Sequence, residues 1–476
     1  MSSVYLIIDK QKWLSYNTKK QNANTLGEKM IEKDMTMKKL LKMNGAPCSC
    51  GRRHEFKSKI ISVSEAVLNI PSITKECGAK KPYIISDTNT YRVAGNRICR
   101  LLNEAELNYS SFIFGEGQLE PDEKTVGTAF MNMNSECDMI IAVGSGVIND
   151  TAKILAQHTK LPYIIVATAP SMDGYASMTS SVILGGLKTS LPSRCADVII
   201  GDVDILAGAP KKMLLAGIGD MLAKYISICE WRIAALISGE YYCEEIAELI
   251  RCALRQITES TDALLCNKPE AISAVFDGLI AGSVAMNYAE VSRPASGAEH
   301  YISHIIDMRG VEFNEPVELH GIQCAIGTLI SLRLYEKLKG ITPNRDLALR
   351  YVNSFDLEDW NRRLRTLLGK SAEAMISLEI KEGKYDKQKH RERLEIILDK
   401  WDGILNIINE ELPSSEYIEA LMLRLGLPID ISEIGIDEKL MPDIFRASKD
   451  IRDKYVLPRL LWDLGVIDEF ATNINQ

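Results

Sequence analysis

The chain has 476 residues, and at the usual size of roughly 100 to 200 residues per domain that length points to two or three folded domains. Hydrophobic residues make up 46% and charged residues 25% of it, an ordinary globular composition that excludes a disordered, fibrous or membrane-spanning protein. The formal net charge of -8 excludes nucleic acid as the main partner, because a phosphate backbone is bound by an excess of Lys and Arg.

The first 45 residues carry nine lysines against four acids and read as a helical or loose surface arm with no chemistry in it. The opening MSSVYLIIDKQKW lacks the apolar stretch and cleavage site of a secretory signal, and no run of about 18 apolar residues follows, so the expected address is the cytoplasm. Eleven cysteines, most of them in apolar helical contexts such as ISICEW and IRCALRQ, read as buried free thiols rather than a disulfide framework. Cys48-Ser-Cys50 is the one close pair. Without a second pair at zinc-finger spacing it is weak evidence for a structural zinc, and the plainer reading is a solvated turn carrying Cys50, Gly51, Arg52, Arg53 and His54.

From about residue 80 short apolar runs alternate with longer helical stretches: KPYIIS at 81–86, SSFIFG at 110–115, DMIIAVGSG at 138–146, LPYIIVAT at 161–168 and ADVIIGD at 196–202. That alternation predicts βαβ units and a parallel sheet. Beyond Pro210 the segments are long and apolar every third or fourth position, as in KKMLLAGIGDMLAKYISICEWRIAALI, and predict helices. The Lys- and Glu-rich stretch near 380–400 reads as solvated helix faces.

Gly144-Ser145-Gly146 follows the run DMIIAV and precedes Val147 and Ile148, where a helix is expected to begin. A strand, a glycine turn and a helix N-terminus form an anion site, since unpaired N–H groups and the helix dipole favour a pyrophosphate; the same glycines also suit a plain tight turn. Asp87 ends the run PYIIS, where a carboxylate is placed either to accept bonds from ribose hydroxyls or to cap a turn. The loop from Thr168 through Ala169, Pro170, Ser171, Asp173 and Ser177 follows the next strand and should line the same crevice.

Only six histidines occur, and His300, His304 and His320 fall within about twenty residues. His300 and His304 are one helical turn apart on a shared face. Imidazoles suit zinc and similar ions, and a catalytic site needs a third protein ligand. Asp220, an acid in the apolar helical stretch GIGDMLAK, is the candidate, because a buried charge there needs a partner.

Together the blocks TAPSMDGYAS, GIGDMLAK, SRPASGAEHYISH and HGIQCAIG, with CSCGRRHEF and IRDKYVLPRLLWDLG, resemble the sn-glycerol-1-phosphate dehydrogenases. These sit within the wider group of metal-dependent alcohol dehydrogenases, glycerol dehydrogenases and dehydroquinate synthases, and the likeness is greatest to the bacterial branch. The resemblance covers most of the chain after residue 46. It implies an α/β nucleotide-binding domain with a parallel sheet over 47–210, followed by an all-helical metal-binding domain over 211–476, with 1–46 as an extension. It implies one divalent metal, zinc or else nickel, held by Asp220, His300 and His320, with Asp173 and His304 contacting substrate. Cofactor contacts to NAD or NADP are implied from Asp87, Gly144, Ser145, Gly146, Val147, Ile148, Thr168, Ala169, Pro170, Ser171 and Ser177. The implied reaction is reversible reduction of dihydroxyacetone phosphate to sn-glycerol 1-phosphate by a homodimer, with no nucleic acid and no membrane span.

Two departures stand out. Many relatives have three consecutive glycines where this chain has Gly144-Ser145-Gly146, and iron-type members carry a further His where this chain has Lys224. A protonated lysine cannot ligate, which favours zinc or nickel over iron. Lys224 and Arg293 are the expected phosphate contacts. A glycerol or polyol dehydrogenase without a phosphate requirement, a lyase resembling dehydroquinate synthase, and a non-catalytic cofactor-binding protein remain the alternatives.

Overall fold

A computed structural model describes residues 35–117, 119–185 and 187–474; the greater part of the lysine-rich arm, 1–34, lies outside the described residues. Packing divides the chain into two compact units. One runs up to Gly185 and adds Thr189–Gly217 and Leu249–Tyr288; the other comprises Gly186–Lys188, Ile218–Glu248 and Ala289–Gln476.

The first unit is built on a six-stranded parallel sheet in the order β1-β8-β5-β4-β2-β3. The strands are β1 (Lys59–Val63), β2 (Pro82–Asp87), β3 (Ser110–Phe114), β4 (Met139–Gly144), β5 (Tyr163–Ala167) and β8 (Val198–Asp202). A separate pair, β6 (Thr179–Leu184) and β7 (Leu187–Pro192), completes the strands among the described residues. β4, β5 and β8 are buried along their whole length, their apolar runs interrupted only by Asp202 at the end of β8, as strands covered on both faces must be. β3 alternates half-buried and exposed positions and lies at an edge. β1 escaped the sequence reading because Lys59 and Ser62 interrupt its apolar run.

The chain goes from β2 outward to β3 and returns on the opposite side of β2 as β4. Strand order therefore reverses between β2 and β4, and the crevice beyond their carboxyl ends is where such sheets take ligands.

Two boundaries differ from expectation. Leu249–Tyr288 belongs with the sheet rather than with the helical unit, because the Pro269–Ala289 helix seals β8: a Cβ at Gly201 would overlap the Phe276 ring. That helix has the length and hydropathy of a membrane span, yet 83% of its apolar window is buried inside the protein, as a core helix requires. Second, the lysine-rich extension is helical over Met35–Met43, one of its two expected states, but is not a surface arm there. Met35–Met43 is a helix with Thr36, Met37, Leu40 and Met43 buried, and Thr36 Oγ1 donates to Gln256 Oε1 at 2.7 Å.

The expected solvated turn at Cys50–His54 holds for Gly51, Arg52 and Arg53, which are exposed, but not for His54, which is 3% exposed. None of the eleven cysteines is in a disulfide. The second unit is helical among its described residues outside β7, with the Ala298–Phe313 and His320–Leu338 helices at its centre.

Candidate active site

In the sheet-bearing unit the expected cofactor residues gather at the carboxyl ends of adjacent strands. β2 pairs with β4 through Ser86 and Val143, and β4 with β5 through Gly144 and Ala167; one residue on in each strand lie Asp87, the Gly144–Ile148 turn and Thr168. Asp87 Oδ1 caps the following helical turn, accepting from Asn89 N at 2.8 Å and Thr90 N at 2.9 Å, which satisfies two backbone donors at the crevice rim.

Gly144 and Gly146 serve different ends. A Cβ at Gly144 would press on the Ile148 side chain, whereas one at Gly146 would meet nothing nearer than Met172 at 3.9 Å. Gly146 opens a 14-residue helix, Gly146–Thr159, so its N-terminus presents backbone donors beside open space, as a pyrophosphate needs.

The loop from Thr168 to Ser177 is tied to that turn. Ser145 and Ser171 hydroxyls are 2.6 Å apart, and the Tyr175 hydroxyl donates to Ala169 O at 2.6 Å; burial pushes the Tyr175 phenol up to about 12. Lys153, fully buried, braces the loop from the helix, donating to Gly174 O at 2.5 Å, Ser177 Oγ at 2.8 Å and Thr179 O at 3.1 Å. Ser177 is thus engaged in holding the loop. Asp173 sits in the same turn, its carbonyl accepting from Ser283 Oγ. A mid-helix lysine gave no signal of this bracing role.

The helical unit gathers the expected metal residues. Close approach of two helices brings them together: a Cβ at Gly219 would overlap the carbonyl oxygen of Gly321, so glycine at 219 lets the segment carrying Asp220 approach the first turn of the helix carrying His320. Ring centroids of His300 and His320 are 5.1 Å apart, those of His304 and His320 5.5 Å, and those of His300 and His304 6.3 Å.

Each proposed imidazole ligand spends one nitrogen on the protein and turns the other inward. His300 Nδ1 pairs with Glu299 Oε1 at 2.8 Å while Nε2 stands 3.5 Å from Asp220 Oδ1. His320 Nδ1 pairs with Ser303 Oγ at 2.8 Å while Nε2 stands 3.6 Å from Cys324 Sγ. Outer partners of this kind fix ring orientation in metal sites, and the donor set fits a divalent ion.

Cys324 was not singled out from the sequence, although it follows His320 by one helical turn and so shares its face. Its ligand atom groups with those of His300 and His320 within 4.8 Å. Burial raises the Cys324 thiol, but His300 and His320 more than offset this and leave it at about 7. Burial likewise opposes ionisation of Asp220, yet Lys224 and His300 hold the carboxyl well below its ordinary range. His300 is raised well above an ordinary imidazole: burial lowers it, and Cys324, Asp220 and Glu299 overcome that. His304 is lowered by burial and by the positive potential of His320 and His300, so it rests neutral.

The two expected phosphate contacts are spoken for. Lys224 Nζ donates to Asp220 Oδ1 at 2.7 Å, both groups sealed from solvent. Arg293 is 1% exposed and forks onto Glu240 while donating to Tyr455 O at 2.8 Å. A cation was missed instead: Lys188 on β7, its side chain 30% exposed, pairs with Asp307 Oδ2 at 2.5 Å and adds to the positive potential at His304.

Comparison with known proteins agrees with this organisation. The fold is the one shared by iron-containing alcohol dehydrogenases: residues 62–210 match that family's model. A solved iron-containing alcohol dehydrogenase from Thermococcus thioreducens superposes with a TM-score of 0.55 at 13% identity, over 88% of this chain and 99% of that one. Among curated relatives, a glycerol-1-phosphate dehydrogenase [NAD(P)+] from Bacillus velezensis is 35% identical over 85% of this chain and 90% of its own length. Another of that name, from Bacillus licheniformis, is 27% identical over 88% and 93%. The chain belongs to the glycerol-1-phosphate dehydrogenase family.

Proposed function

We propose that this chain is an NAD(P)-linked, metal-dependent glycerol-1-phosphate dehydrogenase that interconverts dihydroxyacetone phosphate and sn-glycerol 1-phosphate. The observation that carries the reading is the convergence of Asp220, His300, His304 and His320 in one unit, two of the rings oriented by protein partners. Asp220, His300 and His320 would hold the ion, zinc before nickel. When bound, the ion supplies Lewis-acid polarisation and the nicotinamide supplies the hydride equivalent.

The chain's own residues do the rest. The open N-terminus at Gly146, with Asp87 and the Thr168–Ser171 loop, binds and orients the dinucleotide. His304, neutral at rest, accepts the hydroxyl proton on its imidazole in the oxidation direction and returns it in reduction, where its scarce imidazolium is a strong acid. Asp173 accepts a hydrogen bond from a substrate hydroxyl. Lys188, partly exposed and adjoining the His304 side of the cluster, replaces Lys224 and Arg293 as the cation assigned to the phosphate.

The test is metal-stripped protein assayed by NADH absorbance with dihydroxyacetone phosphate and, separately, dihydroxyacetone, after adding back zinc, nickel or iron, alongside Asp220→Ala. Turnover that needs the phosphate and a metal, and is absent in the variant, is expected. Equal turnover of dihydroxyacetone would instead identify a polyol dehydrogenase.

A further inference from the structure

The sheet-bearing unit holds a second set of metal-ligand residues on a segment the proposed reaction does not use, the loop joining the Met35–Met43 helix to β1. Its backbone folds into a short knuckle. Gly45 N donates to His54 O at 2.7 Å, Cys48 N to Arg52 O at 3.0 Å and Gly51 N to Cys48 O at 3.0 Å, and an antiparallel bridge joins Pro47 to Arg53. Gly51 closes the turn at φ +84°, a conformation that costs a side-chain-bearing residue far more.

This knuckle brings the ligand atoms of Cys48, Cys50 and His54 within 4.8 Å of one another, with Cys50 Sγ 3.4 Å from His54 Nε2. A tetrahedral zinc with bonds of about 2.3 Å to sulfur and 2.0 Å to nitrogen places adjacent S and N donors roughly 3.5 Å apart. The observed separation is close to that span. A thiol–imidazole hydrogen bond involves only Cys50 and His54, whereas the cluster of ligand atoms takes in Cys48 as well.

The histidine is also held as a ligand would be. It is 3% exposed, and its ring lies 5.3 Å from that of Tyr288. Tyr288 in turn donates to Asn44 Oδ1 at 3.3 Å, and Asn44 clamps the Phe56 backbone through bonds of 2.7 and 3.0 Å. Outer-shell support of this kind orients ligands before the ion arrives.

We propose that Cys48, Cys50 and His54 form a structural site for zinc, separate from the catalytic ion and pinning the Met35–Met43 helix and its loop to the sheet-bearing unit. Two thiolates favour a soft divalent ion over magnesium or calcium, and structural sites are closed by a fourth donor, which lies beyond this knuckle. The proposal stands independently of the dehydrogenase reading.

The test uses full-length protein saturated with zinc, freed of loose metal, and its zinc counted per chain by elemental analysis. Cys48→Ser and Cys50→Ser are expected each to lose one zinc equivalent relative to the unaltered chain. An Asp220→Ala/His300→Ala double variant, stripped of catalytic ligands, is expected to keep one. X-ray absorption of zinc in that double variant is expected to show at least two sulfur neighbours at about 2.3 Å, a reading that does not depend on the cysteine variants folding. Zinc-free double variant, or a zinc in it with only nitrogen and oxygen neighbours, would overturn the site, as would undiminished zinc in both folded cysteine variants.

Discussion

Lys224 Nζ and Asp220 Oδ1 stand 2.7 Å apart with neither side chain open to solvent, so a lysine already neutralises the carboxylate assigned to the metal. Breaking a buried pair from one side leaves a naked charge, at a typical cost of about 3–5 kcal/mol. Lys224→Gln should therefore destabilise the metal-free protein by about that much, and added zinc should recover most of the loss by supplying the missing positive charge. Denaturant unfolding with and without zinc measures it; metal-free stability equal to that of the unaltered chain would mean the pair contributes nothing.

Cys324 should matter to the metal though not to the dinucleotide. Its sulfur adjoins both imidazoles proposed as ligands, and loss of such a neighbour typically weakens metal affinity roughly 10- to 100-fold. Cys324→Ala is expected to show that loss in a zinc competition titration, with NADH binding unchanged. Because His300 is raised above its ordinary range, zinc must displace protons, and affinity should fall as pH drops. Calorimetry in buffers of different ionisation enthalpy reads the protons released.

The phosphate contact proposed for Lys188 predicts that its loss separates the phosphorylated from the plain substrate. With its cation removed in Lys188→Ala, KM for dihydroxyacetone phosphate should rise about tenfold or more, consistent with about 1.5–3 kcal/mol for a charge-assisted bond, while any residual rate with dihydroxyacetone is unchanged. Steady-state kinetics on both ketones decide it, and a parallel loss on both would reassign Lys188 to structure.

Glu230 ties the helical unit's interior together, accepting from Leu457 N at 2.8 Å, Ala298 N at 2.9 Å and the Tyr335 hydroxyl at 3.2 Å. Burial and the nearby Glu299 raise its carboxyl to about 8. A group whose folded value lies above an unfolded value near 4.5 holds its proton longer in the native state, so between those two pH values stability falls as pH rises, by at most about 1.4 kcal/mol per pH unit. Denaturant midpoints should decline from about pH 6 to pH 8 in the unaltered chain, and Glu230→Gln should flatten that slope. An equally steep decline in the variant would assign the effect to another group.

The strands of the sheet were legible because buried parallel strands read as continuous apolar runs: PYIIS, MIIAV, YIIVA and VIIGD announce themselves, and each lies where its run predicted. β1 was not, because Lys59 and Ser62 break its run and only pairing with β8 makes it a strand. Asp220 and the histidines were legible as chemistry misplaced on apolar helices. Their neighbours Glu299, Ser303 and Cys324 lay one residue or one turn away and were passed over, since a residue that orients a ligand has no composition of its own.

By itself the sequence determined the α/β-then-helical order, the glycine turn before a helix, the clustered histidines and the family resemblance, all of which rest on local periodicity or short motifs. Only the tertiary structure decided that Leu249–Tyr288 packs with the sheet, that Lys224 and Arg293 are consumed by Asp220 and Glu240, and that His54 is buried beside Cys50. These depend on which distant segments meet, and a charge's use follows from the partner that desolvation forces upon it rather than from its place in the chain.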